Sequence, residues 1–455
     1  MTESGWKQVD HSVKEEIFNF AEGYKAFLDT GKTERLACGE AKRLAEINGF
    51  CDLETKETLK AGDKVYIVNR DKSIFLAVIG EEDVEQGIRF VIAHNDCPRI
   101  DIKQHPLYDD SGLAMLKTHY YGGIKKYQWT AVPLALHGVV VKKDGTKVQI
   151  DIGDKPGDPV FYISDLLPHL ATDQMQKKAT EVINGEALNI IVGSIPAEWA
   201  EKDAEKEAVL AMLAAEFGIC EEDFLSAELE AVPAMQARDM GLDRGMIVAY
   251  GHDDRVCGYT ALSALFETKA PKKTAVCVLT DKEEIGSMGS TGMRSAFFEY
   301  AVALLLEKTT GRYNELMLKR TFHNSKCLSA DVNGGMDPNY PEVNDKLNAA
   351  YIGRGLVITK YTGSRGKSGT SDADAEFVAE VRNCFDEAGV LWQSAELGKV
   401  DAGGGGTIAQ YVANLDVDVL DCGVALLSMH APMEAASKLD IYMAYKGYKA
   451  FFAMK

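Results

Sequence analysis

Five short apolar runs in this sequence each stop at residues that can bind a metal or move a proton. His94 and Asp96 follow RFVIA, Asp253 and Asp254 follow MIVAYGH, and Glu283 and Glu284 follow AVCVLTDK. Asp331 follows KCLSA, and His430 follows VALLSM. Any one of these taken alone reads as a solvated turn or a helix N-terminus, where acids are favoured. Together they read as one site. Carboxylates brought into one place would raise one another's pKa unless a cation neutralised them. Imidazole and carboxylate donors without thiolates suit Zn, Co or Mn, and a shared carboxylate holds two ions about 3.5 to 4 Å apart. Asp253 is assigned as that bridge. Of the adjacent pair Glu283 and Glu284, one is expected to bind metal while the other handles protons. Asp96, two residues past His94, is placed to orient that imidazole. The chemistry implied is metal-assisted hydrolysis.

For such residues to meet, the runs that carry them must be strands whose C-terminal ends share an edge. In an open α/β sheet that edge is the ligand-binding crevice. The surrounding pattern agrees: MIVAYGHDD (strand), RVCGYTALSALFET (helix) and KTAVCVLTDKEE (strand) are followed by a helix near Ser295. KCLSADVN then reads as a strand, SDADAEFVAEVRNCFDEAG as a helix and VALLSMHAP as a strand. The fold class expected is α/β, with a mixed, largely parallel sheet sandwiched by helices. Two amphipathic helices open the chain (SVKEEIFNFAEGYKAFLD and TERLACGEAKRLAEIN), and an amphipathic helix, SKLDIYMAYKGYKAFFAMK, closes it. A hairpin is predicted around Asn69 to Lys72. Between residues 98 and 238 the texture changes to short β-rich pieces punctuated by Gly and Asp, then an acidic helical stretch around AEKEAVLAMLAAEFG. This is read as an inserted β-rich domain, leaving residues 1–97 and 239–455 as the main domain.

Composition bounds the reading. At 455 residues, 46% hydrophobic and 26% charged, the chain has the make-up of an ordered globular protein of about two domains. Fifty Lys+Arg against 69 Asp+Glu give a formal charge of −19, which disfavours nucleic acid and anionic membranes as partners. Nine scattered cysteines without a C-x-x-C pair point to a reducing compartment. The first residues lack a secretory pattern and no apolar run reaches a bilayer's width, so the expected location is cytoplasmic. Neither a Walker A loop nor H-E-x-x-H is present, and the DAGGGGTIAQ stretch does not define a nucleotide site.

The motifs AHNDCP (93 to 98), YYGGIKKYQW (120 to 129), GHDDRVC (251 to 257), DKEEIGS (281 to 287), SADVNGGMDPNY (329 to 340), GGTI (405 to 408) and LSMHAPME (427 to 434) resemble those of the aspartyl aminopeptidases, within the co-catalytic metallo-aminopeptidases. The resemblance runs along nearly the whole chain. It implies hydrolysis of N-terminal residues from peptides at a centre of two divalent ions, most readily zinc. One ion would be held by His94, Asp253 and Asp331, and the other by Asp253, Glu284 and His430, with Glu283 as the base. It implies that the inserted domain mediates assembly into a homododecamer. It also makes His169, in LLPHLA, a substrate contact or a further zinc contact. The family's preference for acidic N-terminal residues is not carried over. Positions where relatives have histidines are Gly334 and Asp337 here, and a basic position falls at Thr359 beside Lys360. The alternatives are a two-metal phosphatase or deacylase, and a non-catalytic assembly or cargo protein that retains the fold.

Overall fold

The computed structural model describes residues 3–454. They form two compact units. The first comprises the residues up to Asp96, Ala237–Met429 and the segment from Glu434 on; the second comprises Cys97–Gln236 together with His430–Met433. The expected boundaries lay at 97/98 and 238/239, and the return of four residues around His430 to the second unit was not foreseen.

A nine-stranded mixed sheet runs through the first unit. At its centre, Thr274–Thr280, Ile88–His94, Lys326–Ser329 and Asp418–Gly423 lie side by side, all parallel. Their sequences are near-continuous apolar runs because both faces of the sheet are covered. Alternation along each strand feeds two cores. Val91, Ala93, Cys277 and Leu279 face one, with Ile17, Ala21, Leu262 and Phe451 from the helices on that side. Phe90, Ile92, Val276 and Val278 face the other, against Phe298, Leu305 and Phe322. The predicted hairpin is present as Lys64–Asn69 and Ser73–Val78. The helices start where their caps say they should. Asp10 accepts the Val13 N–H ahead of His11–Thr30, and Thr33 accepts the Leu36 N–H ahead of Glu34–Ile47.

Two expectations need correction. The strands MIVA and ALL do not join the large sheet. Met246–Ala249 and Ala425–Leu427 belong to a separate five-stranded sheet with Arg238–Met240, Glu434–Ser437 and Asn333–Gly334. The reason is visible in Met246–Ala249, which alternates between half-buried and buried residues, as a strand with one covered face does. It pairs antiparallel with neighbours on both edges. The closing helix Lys438–Ala453 is not amphipathic either. It packs on the helices His11–Thr30, His252–Glu267 and Ala375–Glu387, so even Lys438 and Asp440 are buried. Lys438 Nζ lies 2.8 Å from Asp239 and over the Phe18 ring. Asp440 accepts from the Gly353 and Gly355 N–H groups at 2.7 and 2.6 Å.

The second unit is built on a seven-stranded antiparallel sheet in which Ala227–Pro233 pairs with both Arg99–Asp110 and Pro133–Val141, closing it into a barrel-like ring. Leu136, Val140, Ile150, Phe224 and Leu229 fill a small core. The predicted acidic helix is Ala204–Phe217.

Candidate metal centre

Three of the five predicted segments are delivered by neighbouring parallel strands. His94 ends its strand opposite Thr280, and Ser329 stands opposite Ile92. The residues just beyond Thr280 and Ser329 therefore emerge at the same edge as His94. Asp253 and Asp254 arrive from the smaller sheet. After Met246–Ala249, Gly251 takes φ +78° and opens the helix His252–Glu267, whose first turn departs from helical geometry at Asp253 and Asp254. The peptide between these two aspartates is cis. Gly423 lets a strand pass close by: a Cβ there would lie 1.9 Å from the Asp331 carbonyl oxygen.

The side chains converge on His94, which is buried. Its Nε2 lies 3.1 Å from Asp253 Oδ1 and 3.9 Å from Asp331 Oδ1. Its Nδ1 is 3.0 Å from the Asp96 carbonyl oxygen and 3.3 Å from Asp96 Oδ1. Two sets of donor atoms are close enough to share an ion, His94 with Asp253 and Glu284, and His94 with Asp254 and Asp331. Burial pushes the carboxyls of Asp254 and Asp331 well above the usual range, and their neighbouring acids push further in the same direction. Burial opposes protonation of His94, yet its hydrogen bonds with Asp253 and Asp96 and the charge of Asp331 outweigh it, so its pKa rises well above normal. A buried imidazole among carboxylates that cannot all ionise unaided is a donor set that fits a divalent cation.

Asp96 does more than its spacing suggested. Its carboxylate oxygens accept the N–H groups of Glu283 and Glu284 at 3.1 and 3.2 Å. One residue thus holds the imidazole through its carbonyl oxygen and, through its carboxylate, the turn Glu283–Ile285 that presents the glutamates. Both glutamates are half-buried.

His430 lies in the second unit, where its Nδ1 is 2.8 Å from the Gly123 carbonyl oxygen. His169 sits in the exposed turn Pro168–Leu170 of that unit. Two contributors escaped the sequence reading. Asp254 accepts the His94 N–H at 3.3 Å, and Glu434 accepts the Asp253 N–H at 3.0 Å. Asp254 stands beside Asp253 in the sequence, but nothing there shows that its carboxylate reaches the His94 backbone. Glu434 closes the LSMHAPME motif, but its burial and its partner depend on strand pairing.

Comparison with known proteins gives the family. Residues 27–452 match the family model described as Aminopeptidase I zinc metalloprotease (M18). A relative from Clostridium acetobutylicum, described as "Probable M18 family aminopeptidase 1", is 51% identical over 98% of this chain and 97% of its own. The crystal structure of an M18 family aminopeptidase from Thermotoga maritima superposes with a TM-score of 0.97 at 45% identity, covering 100% of both chains. A more distant structure, the mApe1 dodecamer of S. cerevisiae, shares the fold with a TM-score of 0.77 at 20% identity, over 95% of this chain and 96% of that one. The chain therefore belongs to the M18 family of aminopeptidase I zinc metalloproteases, and is a metal-dependent aminopeptidase.

Proposed function

We propose that this enzyme releases single residues from peptide N-termini using two divalent ions. His94, Asp253 and Asp331 are assigned to one ion and Asp253, Glu284 and His430 to the other, with Glu283 as general base. The observation that carries this reading is the Asp96 clamp, which ties the imidazole of His94 to the backbone of both glutamates. His430 keeps its place on the strength of the LSMHAPME motif alone, and His169 remains a candidate contact for substrate or zinc.

When bound, zinc supplies Lewis acidity to the scissile carbonyl and lowers the pKa of the attacking water. Glu283 takes a proton from that water as its oxygen bonds to the carbonyl carbon. It returns the proton to the amide nitrogen as the C–N bond breaks, leaving a free amino acid and a peptide one residue shorter. Asp96 keeps Glu283 at one place during both transfers. Glu283 is close enough to Asp331 for its charge to raise that residue's pKa, which supports its position beside the proposed ligands.

The second unit is assigned to self-assembly, and a homododecamer is the expected state, as in the yeast fold neighbour. The cytoplasm is the expected compartment, in keeping with nine cysteines that are all free. Among the described residues, no helix is long and apolar enough to cross a membrane.

The test is hydrolysis of a set of X-Ala dipeptides with Zn, Co or Mn added separately to chelator-stripped protein, with phosphoesters alongside. Metal-dependent release of the first residue is expected, and phosphoester cleavage alone would overturn the reading. Glu283→Gln should retain its metal and lose most turnover; near-normal turnover in a metal-replete variant would remove Glu283 from its role.

A further inference from the structure

The second unit carries its own cluster of ligand-type side chains, and none of them takes part in the centre described above. His137 on Pro133–Val141 stands directly across from Asp151 on the neighbouring strand Lys147–Ile152. Two residues beyond that strand, Asp154 returns to the same imidazole. The return depends on Gly153, which adopts φ +119° where a Cβ would meet the Ala135 Cα at 2.7 Å. Asp158 pins the turn by accepting the Gly153 and Lys155 N–H groups at 3.0 and 3.1 Å.

His137 Nε2 is 2.8 Å from Asp154 Oδ2, and Nδ1 is 3.0 Å from Asp151 Oδ1. The residue is only 1% exposed, and neither ring nitrogen makes a hydrogen bond, because the oxygens lie off the N–H lines. Buried polar nitrogens without hydrogen bonds are uncommon in folded proteins. One donor atom from each of His137, Asp151 and Asp154 can be chosen so that all lie within 4.8 Å of one another. The two short contacts are to opposite ring nitrogens, so one ion would take a single imidazole nitrogen together with one oxygen from each aspartate, the set that lies within that distance.

We propose that His137, Asp151 and Asp154 form a divalent transition-metal site in the second unit. One imidazole nitrogen and two carboxylates without thiolate suit Zn, Mn or Co. Asp151 has a side chain 39% exposed, so the ion enters over it and solvent completes the coordination. Lys155 Nζ, 3.3 Å from Asp151 Oδ2 and well exposed, swings away to water when the ion binds.

The experiment uses the full-length protein, stripped with chelator and titrated with zinc, with bound metal counted by elemental analysis. Asp154→Asn should bind one equivalent less per chain than the parent while keeping its peptidase kcat/KM within about twofold. His137→Asn should lose the same equivalent. Equal stoichiometry and affinity in parent and variants would mean an imidazole simply held between two acids, and would overturn the proposal. Should either variant fold poorly, anomalous diffraction at the zinc edge from the zinc-loaded parent decides. A peak among His137, Asp151 and Asp154 supports the site and a blank map there refutes it.

Discussion

Replacing Asp96 with Asn is the sharpest single perturbation of the candidate centre, because it changes charge while nearly preserving shape. In the parent, the carboxylate accepts N–H groups from Glu283 and Glu284 and stands 3.3 Å from His94 Nδ1. An amide can accept through one oxygen only. Its NH2 then faces the second N–H, leaving that donor unsatisfied, and the charge beside the imidazole is gone. Losing one hydrogen bond to a charged group costs about 1.5–3 kcal/mol, which at about 1.4 kcal/mol per decade corresponds to roughly 10- to 150-fold. Changes to the partners of metal ligands give a similar range, about 10- to 100-fold in affinity or activity. We therefore expect Asp96→Asn to lower kcat/KM by about 10- to 100-fold and to weaken zinc binding comparably. Initial rates on the dipeptide set, measured across a zinc titration, separate the two consequences. A deficit in kcat that persists at saturating zinc reports displacement of Glu283, while a deficit that zinc repairs reports the lost charge beside the imidazole. Unchanged kcat/KM together with unchanged zinc affinity would show that the clamp has no functional weight.

Three further outcomes are expected. Gly423→Ala should abolish most activity, because its new Cβ would overlap the Asp331 carbonyl and push that residue off position; a misplacement of about 1 Å can cost about 100-fold, and full activity in a dipeptide assay would contradict the crowding. Burial pushes the Asp440 carboxyl up to about 7 against the N–H groups of Gly353 and Gly355 that favour its charge. From about pH 4 to pH 7 the folded chain keeps a proton that the unfolded chain has released, so stability from this group falls as pH rises, by at most about 1.4 kcal/mol per pH unit. Urea titrations at pH 5 to 8 should show a shallower decline in Asp440→Asn; identical declines would rule out this assignment. Lys438→Met removes a buried ammonium from Asp239 but leaves that carboxylate Lys25 at 2.9 Å. The expected loss is ~2–3 kcal/mol, below the ~3–5 for an acid left wholly unpaired, and no loss in chemical denaturation would mean the pair is neutral.

Much of this protein follows from local pattern. The apolar runs around Val91 and Val278 had to be strands covered on both faces, since seven consecutive buried residues leave no polar side for water. The ends of those runs and of KCLSA mark His94, Glu283, Glu284 and Asp331, because a chain leaving a covered strand must turn polar. The Gly- and Asp-punctuated texture from 98 to 238 marks a change of character along the chain. Pairing between remote segments was another matter. Met246–Ala249 reads as one more strand of the parallel sheet and is not, since its partners lie before it at Arg238–Met240 and far beyond it at Glu434–Ser437. The same long-range pairing buries Glu434 beneath Asp253, and the meeting of strand ends sets Asp96 under the glutamate turn. Pairing of the consecutive strands Pro133–Val141 and Lys147–Ile152, and the turn after them, closes His137 between two aspartates. Residue type and spacing determined which side chains were available for chemistry; which of them touch depended on strand order and register, which packing of the whole chain decides.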